Sequence, residues 1–288
     1  MNTKKASLYS LNFLLCMLML SLPAMSGAET VNCTAITALP YTITTQGVYC
    51  LTGHLNTSIT DGSAITINAN NVVLDLNGFK IGGLSAGLGT QTFGIYANLR
   101  QNITIKNGTV RGFLYGIWLD DIPPYTTSQG HVIEDIRADQ NTFIGIWIQG
   151  NGNIIRNNQV VATGGSTVDY VNGFAFGMYI TGKGARLLNN DVTEVTAQGT
   201  SGAYGVYLFT TSNSVLAGNR VANVTSPNGS PYGIYLDLST DLLVRDNSLS
   251  GTQYGIYFDG ATGTYMNNLV RSISSPYTSG TAAGATNY

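Results

Sequence analysis

The chain has 288 residues, of which only 10% are charged; it holds 35 glycines, a hydrophobic fraction of 43% and a formal net charge of −2. No basic block is present, which excludes nucleic acid as a partner. The apolar fraction suffices for a core, and the wealth of Gly, Asn and Thr suits β-structure with tight turns, not a helical or disordered chain.

Met1-Asn-Thr-Lys-Lys5 is a basic start, Leu11 to Leu22 is an apolar run, and Ser26-Gly27-Ala28 offers small residues for cleavage. This pattern predicts a signal peptide over residues 1–28 and a periplasmic or secreted product beginning near Glu29. The apolar run is short for a membrane span, so no integral membrane protein is expected after cleavage. Loss of Lys4 and Lys5 leaves 11 basic and 15 acidic residues, a net charge of −4. Cys33 and Cys50 then form an even pair in an exported chain, which predicts a disulfide. Residues 29–62 read as an N-terminal cap, because the end of a strand stack must be covered.

The stack itself is announced by repetition. A weak first unit, Ala64-Ile-Thr-Ile67 with Asn71 to Gly78, precedes seven closely similar segments. They are Phe93-Gly-Ile-Tyr, Tyr115-Gly-Ile-Trp, Ile144-Gly-Ile-Trp, Phe176-Gly-Met-Tyr, Tyr204-Gly-Val-Tyr, Tyr232-Gly-Ile-Tyr and Tyr254-Gly-Ile-Tyr. Their glycines are 22, 29, 32, 28, 28 and 22 residues apart. Between them lie second β-like runs such as Asn102 to Val110, Asn153 to Val161 and Leu242 to Leu249. A period of this size, made of short strands and sharp turns, predicts an all-β fold: a parallel β-helix of eight coils over residues 63–275. Asn107, Asn158, Asn190, Asn219, Asn247 and Asn268, with Asp135 in the same frame, recur at one turn, where Asn tolerates left-handed backbone and bonds along the stack. Insertions fall mostly just before the Gly-Ile-Tyr strand, and one, Asp121 to Gly130, falls after it. Loops at equivalent points project from one side of a rod and commonly shape a groove. Residues 276–288 read as a C-terminal cap or tail.

Strand alternation assigns Ile95, Ile117, Ile146, Met178, Val206, Ile234 and Ile256 to the core, together with the residues two further on. It assigns Tyr96, Trp118, Trp147, Tyr179, Tyr207, Tyr235 and Tyr257 to an outward ladder. Beside it run Asn98, Asp120, Gln149, Thr181, Phe209, Asp237 and Asp259. Aromatic faces against sugar C–H faces, with polar neighbours for hydroxyls, suit an extended polysaccharide. The alternative is that the rings stack on one another or lie beneath the inserted loops. Asp237 and Asp259, at one position of adjacent coils, also suit a carboxylate pair for glycoside hydrolysis or a calcium ion held through oxygen. Asp120, Asp121 and His131 flank the proline-containing loop and are candidates for general acid and base. No Cys/His pattern has metal-ligand spacing, and no cofactor is implied.

The repeats, export signal and cap resemble the right-handed parallel β-helix proteins of the pectin-lyase-like superfamily, with NosD-like, carbohydrate-binding and sugar-hydrolase type repeats. The resemblance covers about Ala64 to Ile273 and implies a substrate groove along one outer sheet. Of the Asn-Thr-Asp, Asp-Asp, Gly-His-Gly and Arg-Ile-Lys elements of polygalacturonase-like hydrolases, only Asp120-Asp121 has a counterpart. The Asp-Pro-His-Asp element of alginate epimerases is absent, and no Arg or Lys base accompanies an aspartate cluster as in pectate lyases. Three functions remain: a glycan binder, a polysaccharide lyase, epimerase or hydrolase, and a structural or adhesive surface protein. A loop-walled groove gathering two of the aspartates with His131 or a base favours the enzyme. Dispersed carboxylates favour the binder, and aromatics buried under loops favour the spacer.

Overall fold

The computed structural model describes residues 32–271, 273–278 and 283–284; the expected signal peptide lies outside them. The described chain winds into two sheets, one of ten strands and one of eighteen, and every pairing between consecutive coils is parallel. The ten-stranded sheet takes one strand from each coil. Its eight middle strands, from Ser63–Ile67 to Tyr254–Asp259, are the eight units of the repeat. Tyr41–Ile43 and Ser275–Thr278 add one further strand at each end. The eighteen-stranded sheet carries the second runs of each coil, for example Ile154–Arg156 and Gln159–Gly164. Among the described residues the only helical segments are the single 3-10 turns Leu84–Ala86 and Asp169–Val171, both in insertions.

The core fills the space between the sheets. Ile95, Ile117, Ile146, Met178 and Ile234 are fully buried, as are Leu119, Ile148, Ile180, Leu208 and Leu236 two residues on. Like residues stack on like, because the register runs Ile117 to Ile146 to Met178 to Val206 without slipping.

The glycine of each repeat has a steric cause. A Cβ at Gly116 would lie 2.5 Å from the Gly145 carbonyl oxygen, one at Gly145 2.7 Å from that of Gly177, and one at Gly205 2.6 Å from that of Gly233. Each glycine thus lets the next coil's backbone approach closely, while a core valine such as Val160 or Val221 closes the other side. The backbone at these positions is not left-handed, so space and not conformation selects glycine.

The asparagines divide into two columns. Asn158, Asn190, Asn219, Asn247 and Asn268 are buried, and each of the first four donates from Nδ2 to the Oδ1 of the next at 2.9–3.0 Å. Each amide also satisfies backbone: Asn219 donates to the Leu187 carbonyl and accepts from the Asn190 N–H, both at 3.0 Å. The left-handed residues are those one position earlier, among them Asn157, Asn189 and Asn267. Asn107 and Asp135 belong to this second column, with φ of 58° and 53°. The single turn expected from the sequence therefore merges two adjacent ones with different tasks: one turns the chain, the other ties coil to coil.

At the N-terminal end Cys33, just before the strand Thr34–Ile36, and Cys50, on the strand paired with it, are joined by a disulfide with Cα atoms 5.8 Å apart. The cross-link closes a loop of 17 residues in sequence separation.

Gly205→Ala is expected to cost about 1–3 kcal/mol through overpacking, read as a lower denaturation midpoint. Gly53→Ala, where an added Cβ meets nothing within 4 Å, leaves the midpoint unchanged. Equal midpoints for the two variants would refute the steric reading of the repeat glycine.

Candidate functional site

The outer face of the ten-stranded sheet carries the aromatic ladder. Tyr96, Trp118, Trp147, Tyr179, Tyr207, Tyr235 and Tyr257 pair in register from coil to coil, and all are half-buried. Beside them stands a second aromatic column that alternation does not reveal. Tyr115 stacks on Trp118 with ring centres 5.0 Å apart, and Phe176 stacks on Tyr179 at 5.3 Å. Tyr204, Tyr232 and Tyr254 continue this column. Residues three apart share a face only if the two-residue alternation breaks between them, and the close-packed glycine lies in that interval. The signal was the aromatic that opens most copies of the repeat.

The rings stack mainly on each other. Trp118 and Trp147 are 4.6 Å apart and 3° from parallel; Trp147 and Tyr179 are 5.2 Å apart at 12°; Tyr235 and Tyr257 are 5.2 Å apart at 2°. Tyr179 and Tyr207 meet at 66° and interrupt the series. Where rings are parallel, each covers its neighbour's face, which leaves edges and polar atoms turned to anything beyond. This is the ring-on-ring stacking named above as the alternative, and it leaves a surface of ring edges, hydroxyls and acids.

A diagonal hydrogen bond recurs on this surface. An outward ring donates to the polar residue two positions past the ring of the next coil. Tyr96 donates to Asp120 at 3.2 Å, Tyr207 to Asp237 at 2.6 Å, Tyr235 to Asp259 at 2.5 Å, and Trp118 Nε1 to Gln149 Oε1 at 3.3 Å. Burial, then the Asp120 charge and hydrogen bond, push the Tyr96 phenol up to about 12. Tyr207 and Tyr235 are raised by burial and then by their bonds to Asp237 and Asp259. These phenols therefore stay protonated donors. Burial also raises the Asp120 carboxyl, against the lowering effect of the Tyr96 bond. The Trp147 Nε1, whose diagonal neighbour is Thr181, is buried without a hydrogen-bond partner.

Two loops border the Trp118–Trp147–Tyr179 stretch. Residues 165–174 lay Val168, Val171 and Phe174 on Tyr115, Ile144 and Phe176, forming a small apolar cluster outside the main core. The same loop meets the insertion at 83–92, where the Thr167 N–H donates to the Leu88 carbonyl at 3.1 Å. On the other side lies the loop of residues 121–131, whose Tyr125 adds to the burial that holds the Tyr179 phenol up at about 12.

Asp121 and His131 build that second loop. They are 2% and 1% exposed. Asp121 accepts from the N–H groups of Ile122, Thr127 and Ser128 at 2.9–3.1 Å. His131 Nδ1 accepts from the Ile103 N–H at 3.2 Å, so Nε2 carries the proton and donates to Ser128 Oγ at 2.7 Å. Burial lowers its pKa to about 4. Asp120 points instead to the aromatic face, while Asp237 and Asp259 pair in register on coils past the bordered stretch. The aspartates and His131 are thus not gathered at one point. Among the described residues no group of three or more His, Cys, Asp or Glu is placed to hold a metal ion.

Two cavities lie away from the aromatic columns. One of about 440 Å³ is lined by Leu84, Leu88, Gln140 and Ala162. A second of about 440 Å³ adjoins it through Ala162 and Gly164 and reaches Glu194 and Gln198. None of these residues belongs to the aromatic columns.

Residues 169–287 match the family described as right handed beta helix region. The fold is that of a right-handed parallel β-helix. Its solved likenesses include the enzymatically active domain of bacteriophage CBA120 tailspike protein 2 (TM-score 0.66, 15% identity, 88% of this chain and 42% of that one). The Dettilon tailspike protein follows (0.61, 16%, 81% and 46%), as does the periplasmic alginate epimerase AlgG (0.55, 14%, 84% and 68%). At these identities the likeness to the pectin-lyase-like superfamily is one of fold. A cell surface glycoprotein of Methanothermus fervidus is 30% identical over 222 residues, 75% of this chain and 34% of that protein. The chain thus spans about a third of that relative's length. No described helix is long and apolar enough to cross a membrane.

The buried His131 gives a pH signature. Its folded pKa is lowered from 6.5 to about 4, so the stabilisation it permits is complete above 6.5 and is lost as pH falls towards 4. The loss amounts to about 3 kcal/mol. Denaturation midpoints between pH 7 and 4 should fall in wild type and fall less in His131→Asn; parallel curves would contradict a neutral buried imidazole.

Proposed function

We propose that this protein is an exported, non-catalytic binder of an extended polysaccharide, held along the aromatic face of the ten-stranded sheet. The observation that carries the reading is the diagonal bond, made by a phenol to a carboxylate at Tyr96, Tyr207 and Tyr235 and by the indole N–H of Trp118 to Gln149. Parallel strands stack at about 4.8 Å, close to the length of one sugar unit, so a glycan lying along the rod meets one ring of the ladder at each successive residue. The loops 121–131 and 165–174 border the stretch at Trp118, Trp147 and Tyr179 and supply walls. The epimerase neighbour named for alginate supports a polysaccharide ligand, and the cell surface glycoprotein relative supports a place outside the cytoplasm.

Binding is favoured over catalysis by the fate of the acids. Asp121 and His131 hold a loop, and Asp120, Asp237 and Asp259 each accept from a tyrosine. None of the three is ion-paired to a lysine or arginine that could act as partner base.

Glycan-array binding by residues 29–288 should weaken at least tenfold, about 1.4 kcal/mol or more, in Trp118→Ala/Trp147→Ala and also in the milder Tyr207→Phe/Tyr235→Phe. Undiminished binding in both variants, each checked for an unchanged β spectrum, would remove the aromatic face as the site. Release of unsaturated or reducing-end products, lost in Asp237→Asn, would replace the binder with an enzyme.

A further inference from the structure

Resting on the glycan-binding reading, the distribution of charge and of hydrogen-bond donors goes further and names a class of glycan. We propose that the aromatic face takes a glycan free of carboxylate and sulfate groups, and that Asp120, Asp237 and Asp259 impose this preference.

The first observation is charge segregation around the rod. Every lysine and arginine of the described residues sits on a strand of the eighteen-stranded sheet, except Arg100 in a turn and Lys183 at the far end of Ala175–Lys183. Many of these bases are matched on their own sheet, as Arg156 with Glu134 at 2.5 Å, Arg220 with Asp191 at 2.7 Å and Lys106 with Asp75 at 3.3 Å. The aromatic face carries Asp120, Asp237 and Asp259, and none of the three is ion-paired to a lysine or arginine.

The second observation is the direction of the hydrogen bonds. Tyr96, Tyr207 and Tyr235 use their single protons on the aspartates, and Trp118 uses its own on Gln149. What these groups then offer outward is acceptor capacity: carboxylate oxygens and phenol lone pairs. Such a surface is completed by hydroxyl donors, which an uncharged sugar chain supplies at every unit. A uronate or sulfate would set anionic acceptors against anionic acceptors, with no arginine to bridge them. Bidentate arginine pairing is the usual means of recognising such groups. Around these three acids the face is therefore the electrostatic opposite of one built for the polyuronate named for the epimerase neighbour.

The test uses oligosaccharide pairs of equal length and linkage that differ only at C6, hydroxymethyl against carboxylate. Suitable pairs are β-1,4-mannan with β-1,4-mannuronan, cello-oligosaccharide with oligoglucuronan, and α-1,4-galactan with oligogalacturonate. Calorimetry with residues 29–288 at low salt should give the neutral member of the bound pair an affinity at least tenfold higher. The gap should narrow as salt rises and in Asp120→Asn/Asp237→Asn/Asp259→Asn, and stay unchanged in Asp191→Asn on the opposite sheet. A uronate bound as tightly as its neutral partner, or a gap that survives the triple substitution, overturns the proposal. If both members bind alike and both are lost in Trp118→Ala/Trp147→Ala, the glycan face stands and only this preference falls. If no pair binds, both readings fall.

Discussion

Everything on the surface of this rod follows from how closely one coil sits on the next. The contact that sets it is the glycine of each repeat against the carbonyl oxygen of the following glycine, too near for a Cβ at Gly116, Gly145 or Gly205. That contact accompanies an unshifted register through the middle of the ten-stranded sheet, with a β-bulge only at the end of Ala175–Lys183. Register in turn places like side chains at like positions. The buried asparagine column does the same on the opposite side, where each amide bonds both the next amide and the backbone. The two devices clamp the coils at separate points of their circumference, so insertions at the turns do not disturb the stack.

A ladder of rings at this spacing has a consequence for recognition. Aromatic rings about 5 Å apart and parallel stabilise one another by offset stacking, and in doing so they cover the faces that a free platform would present. Part of the second column is also covered by Val168, Val171 and Phe174. The ladder is therefore at once a stabilising element and a surface, and what it shows to solvent is edges and polar atoms. The diagonal tyrosine–aspartate bonds fix those atoms: the phenol is held as a donor to the acid, and the acid is held in line with the next coil. Such preorganisation lowers the ordering cost of binding.

The repeat disclosed the fold because its period, its glycine and its apolar positions are all local in sequence. Ile95, Ile117 and Ile146 could be assigned to the core from alternation alone, and the second ring column could not, because the strand breaks alternation at the glycine. The asparagine turn was visible, but its division into a left-handed column and a buried one depends on pairing between coils: Asn107 aligns with Asp135, not with Asn158. The roles of Asp121 and His131 were hidden for a similar reason. Both look like chemistry in a linear chain, and both are absorbed by backbone N–H groups that only the folded loop brings to them. The charge segregation was equally invisible until the two sheets were separated, since bases and acids alternate along the sequence without obvious order.

The chain contains two tryptophans, and both stand in the stacked pair at the centre of the bordered stretch. Intrinsic tryptophan emission therefore reports on the aromatic face alone. Titration with a glycan that binds by calorimetry should change the intensity or wavelength of that emission saturably, with a midpoint equal to the calorimetric Kd. Full calorimetric binding with unaltered tryptophan emission would contradict a ligand lying on this face.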